Sequence, residues 1–197
     1  TQDDIDNDLV TFDAGATATT GGFDFTVRDS AGNATSASFV INVGAATALA
    51  DDSGSTDEDS SITEASLTSG ADLLANDEGS SLSVTDFNDS STNGAAVTVT
   101  ATGEFTYDPT GSAILQALDT DDQLDDTFTY TVTDIFSQRT TATVTITVAG
   151  VNDTPVANDD SFTSGERSVI SGNLLSNDSD VDANDTLSIT SVAGGAP

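Results

Sequence analysis

Thr127-Phe128-Thr129-Tyr130-Thr131-Val132-Thr133-Asp134, then after a short turn Ala142-Thr143-Val144-Thr145-Ile146-Thr147-Val148, is the stretch that decides the fold class. Phe128, Tyr130 and Val132 point one way, and the intervening threonines point the other. Ala142, Val144, Ile146 and Val148 repeat the pattern, with Thr143, Thr145 and Thr147 outward. Strict alternation in β-branched and aromatic residues is the signature of half-buried strands. Shorter versions surround this pair: Leu82/Val84, Val97/Val99, Phe105/Tyr107 and Leu187/Ile189. Only Ser112 to Leu118 suggests a helical turn. About seven short strands per ~100 residues, without helices, predict a two-sheet sandwich.

The pattern recurs. Phe23-Asp24-Phe25-Thr26-Val27-Arg28-Asp29 and Ala37-Ser38-Phe39-Val40-Ile41-Asn42-Val43 each lie 105 residues before their counterparts at Phe128 and Ala142. Asp29-Ser30-Ala31-Gly32-Asn33 between them reads as a hairpin loop. Ala50-Asp51-Asp52-Ser53 resembles Asn158-Asp159-Asp160-Ser161, and Leu73-Leu74-Ala75-Asn76-Asp77 resembles Leu174-Leu175-Ser176-Asn177-Asp178. A period of about 100 residues is that of a whole domain, longer than most solenoid units. The expected architecture is all-β: tandem Ig-like or cadherin-like β-sandwich repeats, one complete and two partial. Residues 1–46 are the second half of a repeat, 47–152 a complete one, and 153–197 the first half of another. Each half by itself leaves apolar faces and strand edges open. Two completions are possible. Successive repeats of one polypeptide can supply the missing halves, the ordinary product of tandem repetition. Alternatively, identical chains can join head to tail, a contact that does not close and builds a filament.

Composition narrows the chemistry. The 197 residues carry a formal charge of −31, from 34 acidic residues against three arginines, with no His, Lys or Cys. Such charge at 36% hydrophobic content warns of disorder in the absence of a cation. Without Cys there is no disulfide, and bound metal is the usual alternative staple for an extracellular domain. The available ligands are carboxylate, amide and carbonyl oxygens, which suit Ca²⁺ and not zinc or copper. Ser–His–Asp, Cys–His and Schiff-base catalysis are excluded. The acidic surface repels phosphate backbones, so nucleic acid is not a partner. No apolar run approaches the ~18 residues of a membrane span, so no membrane insertion is expected. Thr1-Gln2-Asp3-Asp4 has neither the basic nor the apolar region of a signal peptide.

Candidate metal ligands fall in three places. Asp178-Ser179-Asp180-Val181-Asp182-Ala183-Asn184-Asp185 sets alternate acids on an irregular segment. Asp178, Asp180, Asp182 and Asp185 can therefore converge oxygens on one cation. It is not an EF-hand, because the sixth-position Gly and twelfth-position Glu are missing. Val151-Asn152-Asp153-Thr154-Pro155-Val156-Ala157-Asn158-Asp159-Asp160 joins two repeats. Pro155 holds Thr154 extended, and Asn152, Asp153, Asp159 and Asp160 could share an ion across the joint. The earlier joint, Gly44-Ala45-Ala46-Thr47-Ala48, lacks Asn-Asp and Pro, so it is either more flexible or held by Asp51 and Asp52 alone. Asp119, Asp121, Asp122, Asp125 and Asp126 read equally as a further site or an acidic loop. Asp57-Glu58-Asp59 reads first as a solvent-exposed turn, with a metal site as the lesser alternative. Paired carboxylates can hydrolyse glycosides, but Trp is absent, so no indole platform for a sugar accompanies them. The Asn-x-Ser/Thr matches, such as Asn177-Asp178-Ser179 and Asn184-Asp185-Thr186, read as neighbours of ligands more than as glycan acceptors.

The phrases Thr127 to Asp134, Ala142 to Val148 and Val151-Asn152-Asp153-Thr154-Pro155-Val156-Ala157, with Tyr107-Asp108-Pro109-Thr110-Gly111 and Leu115 to Leu118, resemble the VCBS and cadherin-like tandem repeats of giant bacterial adhesins. Asn177-Asp178-Ser179-Asp180-Val181-Asp182 is similar to the calcium-loop phrase of that superfamily, although Asn76-Asp77 is followed by Glu78-Gly79-Ser80-Ser81 without alternate acids. Residues 1–43, through Thr1-Gln2-Asp3-Asp4-Ile5-Asp6, resemble cadherin-like repeats of the chondroitin-sulfate-proteoglycan type. The resemblance implies an Ig-like sandwich, calcium at junctions and loops, and a secreted protein of the bacterial cell surface or extracellular matrix with an adhesive or biofilm role. Repeats of this kind are usually extenders, and many such proteins leave the cell by type I secretion. The alternative is a binding module whose loops recognise a cell-surface glycan.

Overall fold

The computed structural model describes residues 20–42, 46–68 and 70–193. The expectations for Thr1 to Asp6, for Val43 and for Gly44-Ala45 lie outside the described residues.

Nine strands are described, and among the described residues regular helix is confined to two short 3₁₀ turns, Glu64–Ser66 and Leu115–Ala117. The second falls where a helical turn was expected. The first hairpin is β1 (Thr20–Arg28) and β2 (Ala34–Asn42), antiparallel with Phe23 opposite Phe39. The central repeat holds seven strands: β3 (Asp52–Asp57), β4 (Ile62–Thr63), β5 (Ser83–Phe87), β6 (Ala96–Val99), β7 (Phe105–Asp108), β8 (Gln123–Thr133) and β9 (Arg139–Ala149). One sheet runs β3-β9-β8-β5 and the other β4-β7-β6. Among the described residues only β3 and β9 pair in parallel. This is the expected sandwich.

The threonine-rich strands form its centre because their alternation matches the pleat. Phe128, Tyr130, Val132, Val144, Ile146 and Val148 are all 2% exposed or less. They meet Val97, Phe105 and Tyr107 of the opposite sheet, with Leu73 and Leu115 filling from the loops. The Phe105 and Tyr107 rings lie 6.0 and 6.5 Å from Phe128, within the spacing at which aromatic pairs add to area burial.

Two buried carboxylates belong to this core. Asp126 accepts from the Tyr107 hydroxyl (2.7 Å) and from the amides of Asn93 (2.8 Å) and Thr127 (2.9 Å). Those three donors answer the desolvation of its charge. Asp52 accepts from the Tyr130 hydroxyl at 2.9 Å, and that hydroxyl also lies 2.8 Å from the Leu73 carbonyl and 3.3 Å from Asp77. Burial and the adjoining carboxylates hold both phenols well above the ordinary tyrosine range.

The end of β9 packs closely against a loop of its own repeat. A Cβ on Gly150 would meet the Asp119 carbonyl at 2.2 Å and the Leu118 carbonyl at 2.7 Å. No other residue allows this approach. The 118–122 loop therefore lies directly against the joint.

Residues 153–193 carry no assigned strand. The Leu187/Ile189 alternation, read as a strand, is irregular here. In the central repeat the matching strand β5 is held by β8, and no such partner is described beside residues 187–192. A strand is a product of its ladder, and alternation alone does not form one. The segment is instead held by a bridge, Val156 to Ser179, with both amide–carbonyl bonds made at 2.8 and 3.0 Å.

Candidate metal centre

β3 ends at Asp57, and the next residue, Glu58, continues its inward alternation from Asp52 and Gly54. The parallel pairing with β9 carries Glu58 to the end of that strand, where its amide donates to the Ala149 carbonyl at 3.1 Å. Its side chain is fully buried. Oε1 accepts from the Val151 amide at 3.0 Å, and Oε2 has no hydrogen-bond partner. The reading of Asp57-Glu58-Asp59 as a solvated turn is therefore corrected for Glu58. The signal was the period of two extended one residue past the strand.

The next repeat meets it there. Asp153 donates its amide to Asp182 Oδ2 at 2.7 Å, drawing the acidic loop back onto the joint. Asp182 is 3% exposed, and its Oδ1 has no partner. One carboxylate oxygen from each of Glu58, Asp153 and Asp182 lies within 4.8 Å of the others. A second triad, Asp180, Asp182 and Asp185, has the same spacing and shares Asp182. The loop is fastened by Asp182 N–H to Asp180 Oδ1 at 3.2 Å. It reaches the central repeat through Ala183 N–H to the Ala117 carbonyl at 3.3 Å.

The electrostatics are one-signed. Burial, with the charges of Asp153, Asp182 and Asp59, pushes Glu58 above the usual carboxylate range despite the Val151 amide. Asp153 is raised by desolvation and by Asp59, Asp182 and Asp180, and Asp185 by desolvation and by Asp119, Asp180 and Asp182. Of the three arginines in the chain, Arg28 bonds the Gly32 carbonyl and Arg139 faces Asp86 at 3.7 Å. Converging carboxylates that lack protons or a cation repel one another. A hard cation answers every feature of the cluster: it takes oxygen only, about 6–8 of them, and it satisfies buried lone pairs that no N–H reaches. Glu58 Oε2, Asp182 Oδ1 and an Asp153 oxygen could hold one ion, and Asp180, Asp182 and Asp185 a second.

The other ligand candidates are placed elsewhere. Asp178 accepts from the Asn158 amide at 2.8 Å, and with Asp159 and Asp160 it lines an open groove. The Asp159 carbonyl accepts from the Asn177 amide group at 3.2 Å. Asn152 donates its side-chain amide to the Asp153 carbonyl. Asp51 accepts from the Thr143 amide at 2.8 Å, and Asp52 faces Tyr130. Of the acidic run from Asp119 into β8, Asp126 is a core acceptor, Asp125 accepts from Thr147 at 2.7 Å, and Asp119 contributes its charge to Asp185.

A two-sheet sandwich with an acidic cluster at the joint to the following repeat defines a class: Ig-like modules strung in tandem. The chain belongs to the bacterial cadherin-like domain family, whose model matches residues 44–150, and a bacterial Ig domain model matches residues 152–197. No curated protein matches the chain. Cadherin-like domains are generally calcium-binding, and such bacterial modules are typical of extracellular surface proteins and typically non-enzymatic. Among the described residues, no helix is long and apolar enough to cross a membrane.

Proposed function

We propose that this chain is a non-enzymatic, calcium-stabilised extender of a secreted bacterial surface adhesin or matrix protein, in which the ion locks the joint between one repeat and the next. The carrying observation is that Glu58 of the central repeat and Asp153 and Asp182 at and beyond the joint converge, with two buried oxygens unpartnered. With a cation the joint is a stiff strut. Without one, the same carboxylates push the two repeats apart. Small-angle scattering of the chain with calcium and with EGTA tests this, alongside a calorimetric calcium titration. The expected result is a narrow, extended distance distribution in calcium that broadens on chelation. Identical profiles in both conditions, with no heat of binding, would refute the reading.

A further inference from the structure

The outer face of the β3-β9-β8-β5 sheet in the central repeat is a grid of threonines with its charges at the rim. Thr129 lies opposite Thr143, Thr131 opposite Thr141 and Thr127 opposite Thr145. They alternate with the buried Phe128, Tyr130, Val144 and Ile146, so they stand on the side away from the core. Arg139 closes one end of the grid, opposite Thr133, and Asp125 closes the other, opposite Thr147. Asp57 lies just past that second end, and Asp86 flanks the grid on β5. Asp51, on the β3 side, accepts from the Thr143 main-chain amide at 2.8 Å. A strand amide points along the sheet, which holds that carboxylate at the edge and off the face. The middle rows carry no charge, in a chain with 34 acidic residues and three arginines.

Hydroxyls of this face are already paired. Thr131 and Thr141 bond each other at 2.9 Å, Thr127 bonds Thr92 at 2.8 Å, and Thr133 bonds Thr85 at 2.9 Å. Thr129 donates to Asn88 Oδ1 and Thr147 to Asp125 Oδ1, both at 2.7 Å. A polar group with its bond already made can leave water without an unmet partner, so covering these rows costs little. The cation at the rim is held loosely. Arg139 meets Asp86 at 3.7 Å, and its side chain is 58% exposed.

We propose that this face pairs with the same face of a second copy of the chain, across a two-fold axis that runs along the Thr129–Thr143 row. The strands of the two copies then run in reversed directions, β8 over β8 and β9 over β9. Thr143 meets Thr143, and Thr141 meets Thr145. Arg139 lands on Thr147, whose hydroxyl holds Asp125. Each copy thus offers its arginine to the other's acid, and the uncharged rows lie between the two ion pairs. That complementarity selects the occupant. A face with opposite signs at its two ends matches itself under a two-fold, and such a contact closes at two copies. Elsewhere two chains this acidic repel. The rows from Arg139 to Thr147 and the width of four strands give roughly 500 Å² per copy, about 1,000 Å² in the pair, the lower bound for a specific contact. The pair is therefore weak and reversible. Side-by-side pairing goes beyond the extender reading and uses none of the carboxylates of the candidate metal centre.

Sedimentation equilibrium of the full chain in excess calcium tests the proposal. Wild type is expected to show a reversible monomer–dimer equilibrium that grows no further. Arg139→Asp sets acid against acid at both ends of the contact, and Asp125→Arg sets base against base. Each variant alone is expected to pair at least about tenfold more weakly than wild type, because like charges brought together across an interface suppress it. An equal mixture of the two is expected to recover a dimer of one copy of each, since every 139–125 contact between unlike variants joins opposite charges. Both tyrosines lie in the central core, so an unchanged near-ultraviolet tyrosine signal certifies that repeat in each variant. A wild type that stays monomeric at all concentrations overturns the proposal. So does association undiminished in either variant, which would place the contact on another surface, or a mixture no more associated than its components.

Discussion

Replacing Glu58 with Gln separates the carboxylate's charge from its shape. Glu58 is fully buried, with one oxygen on the Val151 amide and the other without a hydrogen-bond partner. Gln keeps the carbonyl acceptor for Val151 and removes a charge that faces Asp153 and Asp182. Replacing a buried, uncompensated charge by a neutral group is neutral to stabilising, on the order of 1–3 kcal/mol. In calcium the sign reverses, because the ion loses a charged ligand. A site filled at 100 times its Kd stabilises the fold by ~2.7 kcal/mol. At roughly 4 °C per kcal/mol for a domain near 100 residues, that is about 10 °C in Tm. Differential scanning calorimetry of wild type and Glu58→Gln, each in calcium and in EGTA, gives the four values needed. Wild type is expected to gain about 10 °C on calcium addition and the variant only a small part of it, with the variant equal or higher in EGTA. A variant that keeps the full calcium shift would show that Glu58 does not touch the ion, and the joint reading would fail.

Magnesium is expected to restore little of the Tm lost in EGTA, because it demands tighter octahedral geometry and releases water reluctantly; full restoration by magnesium would point to a non-specific charge effect. Asp180→Ala with Asp182→Ala is expected to lower the calcium stoichiometry by at least one ion while the tyrosine signal of the central repeat persists, and unchanged stoichiometry by mass spectrometry would remove the loop from the site. Glu58, Asp153 and Asp185 have raised folded-state pKa values. The folded, ion-free chain then holds more protons than the unfolded one, so its stability falls as pH rises through those values and is regained on mild acidification. In calcium the trend is expected to invert, since protons compete with the ion; parallel Tm-against-pH curves in calcium and EGTA would contradict this. Tyr107→Phe removes a donor from buried Asp126 and is expected to cost about 1.5–3 kcal/mol in urea unfolding, independent of calcium.

Much of the sandwich was legible in residues 127–148, because burial on one face imprints a period of two. The copy at residues 23–42 was legible for the same reason. The failure at Leu187/Ile189 is instructive. The alternation is there, but a strand also needs a neighbour's ladder, and a sequence pattern does not say whether one is present. The candidate metal centre was half legible. The run from Asp178 to Asp185 advertised itself, and three of its four acids meet in one triad. Asp178 does not, because the Val156–Ser179 bridge turns it toward the Asn158 amide. Glu58 was hidden by its neighbours: between Asp57 and Asp59 it looks like any solvated acid.

By itself the sequence determined that the chain is all-β, repeats at domain length and offers a metal only hard oxygen ligands. Those are properties of alternation, spacing and composition, each readable without knowing what lies next to what. Only the tertiary structure decided which oxygens converge. Glu58 reaches Asp182 because β3 pairs in parallel with β9, Gly150 admits the 118–122 loop, and the Asp153 amide holds the acidic loop against the joint. Each contact joins segments far apart in the chain, and desolvation, which turns an ordinary glutamate into a buried carboxylate with one oxygen unpartnered, exists only once those segments have closed over it.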